Sequence, residues 1–174
     1  MKLTRILFAA LLIGWCVPAA HARRAPNLAL KDLAGHKHHL ADYRGSIVVL
    51  NFWATWCAPC REELPMMTRL SREYGSRHVR FIAASADESR DRAKVNQFVS
   101  SHNLGMEIWV GADLDMLQRA RLGNELPATL IIDADGNVAV RIKGEAREAE
   151  VRRALDWLLN GRHGSAPPEV ITHY

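Results

Sequence analysis

Cys57 and Cys60 sit in the segment Trp56-Cys57-Ala58-Pro59-Cys60. Two thiols at this spacing can reach bonding distance when the turn that carries them opens a helix. The loop so closed is too small for much chain-entropy stabilisation. Such a bond makes a poor staple and a better redox switch. At a helix start the first thiol lies beside unpaired backbone N–H groups and the positive end of the helix dipole. Both favour the thiolate, so Cys57 is the expected nucleophile. Cys60, one turn inward, is the expected resolving thiol, which attacks a mixed disulfide and releases the product. Pro59 fits because the first helical turn has N–H groups without partners. A structural disulfide and a zinc site are the alternatives. Zinc needs four ligands, and there is no second cysteine pair. His36, His38 and His39 could add nitrogens but read as part of a solvated hairpin.

Glu63 lies three residues after Cys60, on the same side of the expected helix. A partly buried carboxyl there would have a raised pKa and could take the proton from Cys60 during resolution. The alternative is an exposed carboxylate that merely complements the helix dipole. Glu62 is the expected solvated neighbour. Trp56 is expected to shape a substrate surface, and Trp53 to pack in the core. Met66, Met67 and Leu70 read as helix core, and Trp109 and Trp157 as structural.

The elements that must hold these groups follow from the hydrophobic pattern. Asn27–Lys31 and His36–Leu40, divided by Gly35, predict an N-terminal hairpin. Ile47–Phe52 is an apolar run of strand length, the pattern of a strand buried on both faces. A helix is predicted over Ala58–Tyr74, ended by Gly75. His78–Ser85 predicts a strand, Asp91–His102 a helix, Glu107–Val110 a strand and Leu114–Leu122 a helix. Thr129–Ile132 and Val138–Ile142 flank the tight turn Asp135-Gly136-Asn137. Glu145–Leu159 reads as a terminal helix. The alternation predicts an α/β domain with a mixed central sheet flanked by helices. The Cys57 turn would then lie at the carboxyl end of a central strand, where open α/β sheets place their chemistry.

The 174 residues are 48% hydrophobic and 24% charged, with a formal charge of +4. This composition excludes collagenous, coiled-coil and wholly disordered chains and suits one domain. The basic residues form no run of the kind that binds nucleic acid. Residues 1–22 read as a secretory signal: Lys2 and Arg5, an apolar stretch Ile6–Val17, Pro18, then Ala20-His21-Ala22 before the expected cleavage. An uncleaved anchor is the alternative, although the apolar run is short for a membrane span. Trp15 before Cys16 argues against a lipoprotein. Cleavage would leave Cys57 and Cys60 as the only cysteines, in a disulfide-permissive compartment. The domain is expected over 23–160, and 161–174 is expected to be a flexible tail.

The stretch Asn51-Phe52-Trp53-Ala54-Thr55-Trp56-Cys57-Ala58-Pro59-Cys60 resembles the active-site segment of the thioredoxin superfamily. Arg61-Glu62-Glu63-Leu64-Pro65 resembles its periplasmic TlpA/ResA-like branch. The resemblance covers about Asn27 to Leu159 and includes an inserted helix–strand unit near residues 91–110. It implies a thioredoxin-like fold in which Pro127 is the cis-proline beside the active site and Leu126 docks substrate backbone. It also implies that Pro59 belongs to the substrate-facing motif and that Pro65 bends the active-site helix. Cytoplasmic thioredoxins carry a buried Asp where Asn51 stands, and Asn cannot accept a proton. Glu63 matches a glutamate typical of the TlpA/ResA-like branch.

The expected activity is extracytoplasmic reduction of protein disulfides, without cofactor or metal, by a periplasmic monomer. The resemblance implies apocytochrome c or respiratory copper-site proteins as clients, and a membrane-embedded thiol donor for re-reduction. The same fold could instead run as a disulfide donor or isomerase, because direction depends on redox poise. A Cu(I) chaperone using Cys57 and Cys60 is a third reading, since soft thiolates suit that ion. Relatives that deliver copper generally space their cysteines more widely. Peroxidase activity is a fourth, with a different cysteine context.

Overall fold

The computed structural model describes residues 24–173. The expected secretory segment, 1–22, lies outside the described residues. The described residues form eight strands and four helices. They are β1 (Ala29–Asp32), β2 (Lys37–His39), β3 (Ile47–Trp53), α1 (Ala58–Tyr74), β4 (Val79–Ser85), α2 (Arg92–Ser101), β5 (Glu107–Val110), α3 (Leu114–Arg119), β6 (Ala128–Ile132), β7 (Val138–Lys143), α4 (Glu148–Leu159) and β8 (Val170–Thr172). All strands share one mixed sheet in the order β2-β1-β5-β4-β3-β6-β7-β8. The β3, β4 and β5 strands run parallel, while β6 runs antiparallel to β3. The N-terminal hairpin joins this sheet through β1, antiparallel to β5. The inserted unit is α2 with β5. The mixed α/β architecture expected from the sequence is the one observed.

Every residue of β3 is buried. Successive strand side chains point to opposite faces, so β3 feeds two cores. Val48, Leu50 and Phe52 pack with Leu28, Ile82, Trp109 and Leu130 on one face. Ile47 and Val49 pack with Met67, Leu70, Val140 and Leu155 on the other. A third cluster beneath the cysteines joins Trp53, Cys57, Cys60, Leu64, Ala83 and Ile108. Burying a side chain of Leu size contributes about 1.5–3 kcal/mol. The central strand and the helix that follows it are therefore a rigid base for the cysteine turn.

Some boundaries differ from the sequence reading, each for a local reason. The chain leaves α1 through a 3-10 turn over Gly75–Arg77. Gly75 itself stays helical at φ −58°, and His78, at φ 57°, takes the left-handed conformation that turns the chain into β4. The α3 helix stops at Arg119, because Arg121 at φ 60° and Gly123 at φ 92° turn the backbone away. The α4 helix starts at Glu148, not Glu145. Gly144 turns the chain at φ 87°, and the Ala146 N–H is taken by a side chain of α1.

The expected flexible tail is corrected by the structure. Val170–Thr172 forms β8, paired in parallel with β7. Glu169 fastens it: its carbonyl accepts from the Arg141 N–H at 2.8 Å, and its carboxylate accepts from the Arg141 guanidinium at 2.9 Å. The His173 N–H donates to the Lys143 carbonyl at 2.8 Å. At the other end of the described chain, Arg24 bridges Asn137 in the β6–β7 turn.

Candidate active site

The first turn of α1 carries both cysteines. Cys57 is the N-cap residue, in extended conformation, and its sulfur accepts from the Cys60 N–H at 3.3 Å. Its own N–H donates to the Ala54 carbonyl at 3.1 Å, which closes the turn out of β3. Cys57 and Cys60 form a disulfide with their Cα atoms 5.3 Å apart. Cys57 remains 5% exposed and Cys60 is fully buried. An incoming sulfur can therefore reach only Cys57, whose sulfur sits where helix N–H groups stabilise negative charge.

The turn is held from the side by a residue that the sequence reading missed. Asp87, just beyond β4, is buried. Its carboxylate accepts from the Thr55 N–H at 2.9 Å, the Thr55 hydroxyl at 2.5 Å and the Ser85 hydroxyl at 2.8 Å. It thereby ties the segment before Trp56 to the end of β4. An acidic residue two positions after a buried apolar strand is the one local signal that could have pointed to it.

Glu63 is buried at 2% exposure, so the reading as an exposed dipole-complementing residue is set aside. One carboxylate oxygen accepts from the Asn51 amide at 2.6 Å and the other from the Ala146 N–H at 2.7 Å. Burial pushes its pKa from the usual carboxylate value up to about 7, against the pull of those two donors, with Glu145 adding a smaller upward push. Asn51 also donates to the Thr129 hydroxyl at 3.0 Å. Its amide oxygen is buried without a partner. Both Glu63 oxygens thus face donors, an arrangement suited to the carboxylate. The free Asn51 oxygen would serve a protonated Glu63 if the amide turned over. Near neutral pH this carboxyl is able to take or give a proton inside the fold. Glu62 is exposed, as expected.

The remaining residues surround the cysteines. Trp56 is 68% exposed. Trp53 is buried and packs on Phe98 with ring centroids 5.2 Å apart. Pro59 is exposed on the first turn of α1. The Leu126–Pro127 peptide bond is cis. Leu126 is half-buried and packs on the cluster beneath the cysteines. Pro59, Leu126 and Pro127 line one cleft of about 430 Å3, together with Gly144, Arg147 and His173. Trp56 and Leu126 line a second of about 700 Å3, which runs toward α3. All seven residues singled out in the sequence therefore lie in α1 and β3–α1 or beside the clefts that flank them. His36 and His38 bond instead to Asp32 at 3.0 and 3.1 Å, at the far edge of the hairpin, with His38 stacked on Trp109. Among the described residues no group of three or more His, Cys, Asp or Glu could hold a metal ion.

Residues 22–141 match the AhpC/TSA family. The chain is 36% identical over 132 residues to the thiol-disulfide oxidoreductase ResA of Geobacillus kaustophilus, covering 76% of this chain and 74% of that protein. It is 30% identical over 137 residues to the protein of the same name from Bacillus subtilis, covering 79% and 75%. A solved thiol:disulfide interchange protein of the thioredoxin family from Chlorobium tepidum superposes with a TM-score of 0.69 at 26% identity, covering 80% of this chain and 98% of that one.

Proposed function

The chain belongs to the AhpC/TSA family as a ResA-like thiol–disulfide oxidoreductase, and on that premise we propose that it reduces disulfides of protein clients in the periplasm. The observation that carries this reading is the asymmetry of the site. One sulfur is reachable and the other is buried, with a buried carboxyl that titrates near neutrality on the same helix.

In the reduced protein, the Cys57 thiolate attacks one sulfur of a client disulfide. A bond forms between Cys57 and that sulfur, and the client's other sulfur leaves as a thiolate, which takes a proton from solvent. Glu63, as carboxylate, accepts the proton of the Cys60 thiol. The Cys60 thiolate then attacks the Cys57 sulfur. The Cys57–Cys60 bond forms, the mixed disulfide breaks, and the client's second thiolate leaves and is protonated. The client gains two electrons and two protons, and the protein is left oxidised. Leu126 and Pro127 would dock client backbone beside Cys57, while Trp56 and Pro59 shape the contact.

The secretory reading of residues 1–22 supports the periplasmic location. The resemblance to the TlpA/ResA-like branch supports apocytochrome c or respiratory copper-site proteins as clients. It also supports re-reduction by a membrane-embedded thiol donor. The deciding experiment is the equilibrium potential of the Cys57–Cys60 couple against glutathione or dithiothreitol. A value at or below about −250 mV, near that of thioredoxin, is expected of a reductant. A value of about −120 to −180 mV would replace this reading with that of a disulfide donor or isomerase.

A further inference from the structure

The cleft of about 700 Å3 beside the cysteines has a charge opposite to that of the chain. The whole sequence carries +4, yet the ionisable residues lining this cleft are Asp87, Glu88, Asp113 and Glu125. Glu88 is paired with exposed Arg90 at 3.0 Å. Asp87, Asp113 and Glu125 have no Lys, Arg or His partner among the described residues. The partners of Asp87 are the neutral donors of Thr55 and Ser85. Asp113 caps α3 by accepting from the Met116 N–H at 2.8 Å. These hydrogen bonds fix the carboxylates without cancelling their charge.

The same cleft has apolar walls. Trp56 at 68% exposure and Leu114 at 54% both line it. They are two of the three large hydrophobic side chains exposed among the described residues. One, Trp56, precedes the reachable sulfur directly in sequence, which puts this cleft next to the cysteine turn.

We propose that this cleft is the specificity surface for clients, and that it selects an extended polypeptide segment carrying a lysine or arginine beside an apolar residue, next to the cysteine to be reduced. The inference rests on the oxidoreductase reading of the same site and adds the chemical class of its substrate. The apolar side chain covers Trp56 and Leu114, and the cation faces Asp113 and Glu125. A cleft lined by one sign of charge raises the local concentration and the encounter rate of the opposite sign, and salt removes the effect.

The test uses two synthetic peptides with the same intramolecular disulfide and the same apolar residue, one flanked by lysines and the other by glutamates. Reduction by the reduced protein is followed by stopped-flow tryptophan fluorescence. At low salt the lysine peptide is expected to react about tenfold faster or more. In 1 M NaCl, where the Debye length falls to about 3 Å, the two rates should converge. Glu125→Gln combined with Asp113→Asn should abolish the preference, because Asn still caps α3. Reduction of neutral hydroxyethyl disulfide should stay unchanged in that variant, which shows that it is folded and active. Equal peptide rates at low salt, a glutamate preference, or a lysine preference that survives the double variant would each overturn the proposal. If the protein reduces neither peptide, the assigned direction fails. The same peptides as dithiols, mixed with the oxidised protein, then decide the surface by the same criterion.

Discussion

Replacing Glu63 by Gln should make the oxidised protein more stable, and only at higher pH. The carboxyl titrates at about 7 in the fold instead of at its ordinary 4.5. The folded state therefore holds on to a proton that the unfolded chain gives up. Below pH 4.5 both states are protonated and Glu63 costs nothing. Between 4.5 and 7 the unfolded state binds fewer protons, so stability falls as pH rises. Above 7 the loss is complete, at about 3 kcal/mol for the full shift. Gln removes the titration and keeps the volume. Its amide can still accept from one donor, and the unpartnered Asn51 oxygen can turn to receive its N–H. The oxidised form isolates the effect, because cysteines in a disulfide do not titrate. Thermal denaturation of both proteins from pH 4 to pH 8 should give coincident midpoints at the acid end. At pH 8 the variant should melt about 6–12 °C higher, given about 2–4 °C per kcal/mol at this chain length. The same substitution should slow resolution of the mixed disulfide by about 10²-fold or more at neutral pH, as expected for a lost general base. Parallel melting curves across the pH range would refute the argument that burial, and not simple packing, governs this residue.

Other outcomes follow from the same geometry. Cys60→Ser should accumulate a covalent adduct with a disulfide client, and Cys57→Ser should form none, read by non-reducing electrophoresis and mass spectrometry. Trp53→Ala empties a fully buried site under the cysteine turn and should cost about 3–5 kcal/mol in urea denaturation. Gly144→Ala drives a Cβ into the His173 carbonyl at a φ of +87°, and should cost about 1–3 kcal/mol while loosening β8. Hydrogen exchange at Ile171 and Thr172 would show that loosening.

What the sequence revealed divides along physical lines. The β3 strand and the cysteine turn were legible because their signals are local: a continuous apolar run, then two thiols and a proline at a helix start. The hairpins were marked by glycine turns. The Glu63 carboxyl was visible as a candidate, but its burial was not, because it depends on Asn51 in β3 and on the Ala146 N–H, 83 residues away in sequence. Asp87 escaped notice for the same reason, since its partner Thr55 lies 32 residues earlier. The β8 strand was unreadable because an edge strand of three residues buries too little to impose alternation. It is fixed by Glu169 and Arg141 instead, a pairing that hydropathy does not register.

The bridge between Arg24 and Asn137 has a practical consequence. The β6 strand runs antiparallel to β3, with Ala128 level with Phe52 and Ile132 level with Val48. The β6–β7 turn, and Arg24 with it, therefore sits at the end of the sheet opposite the cysteines. Seven residues of β3 span about 20 Å, so the two ends are well separated. A linker attached before Arg24 would hold the domain with its reactive end facing away from the support, open to large clients. A linker attached after β8 would emerge next to His173, in the cleft that Pro59 and Pro127 share. Immobilisation for binding measurements, and any fusion meant to leave client access intact, should accordingly be made through the amino-terminal side.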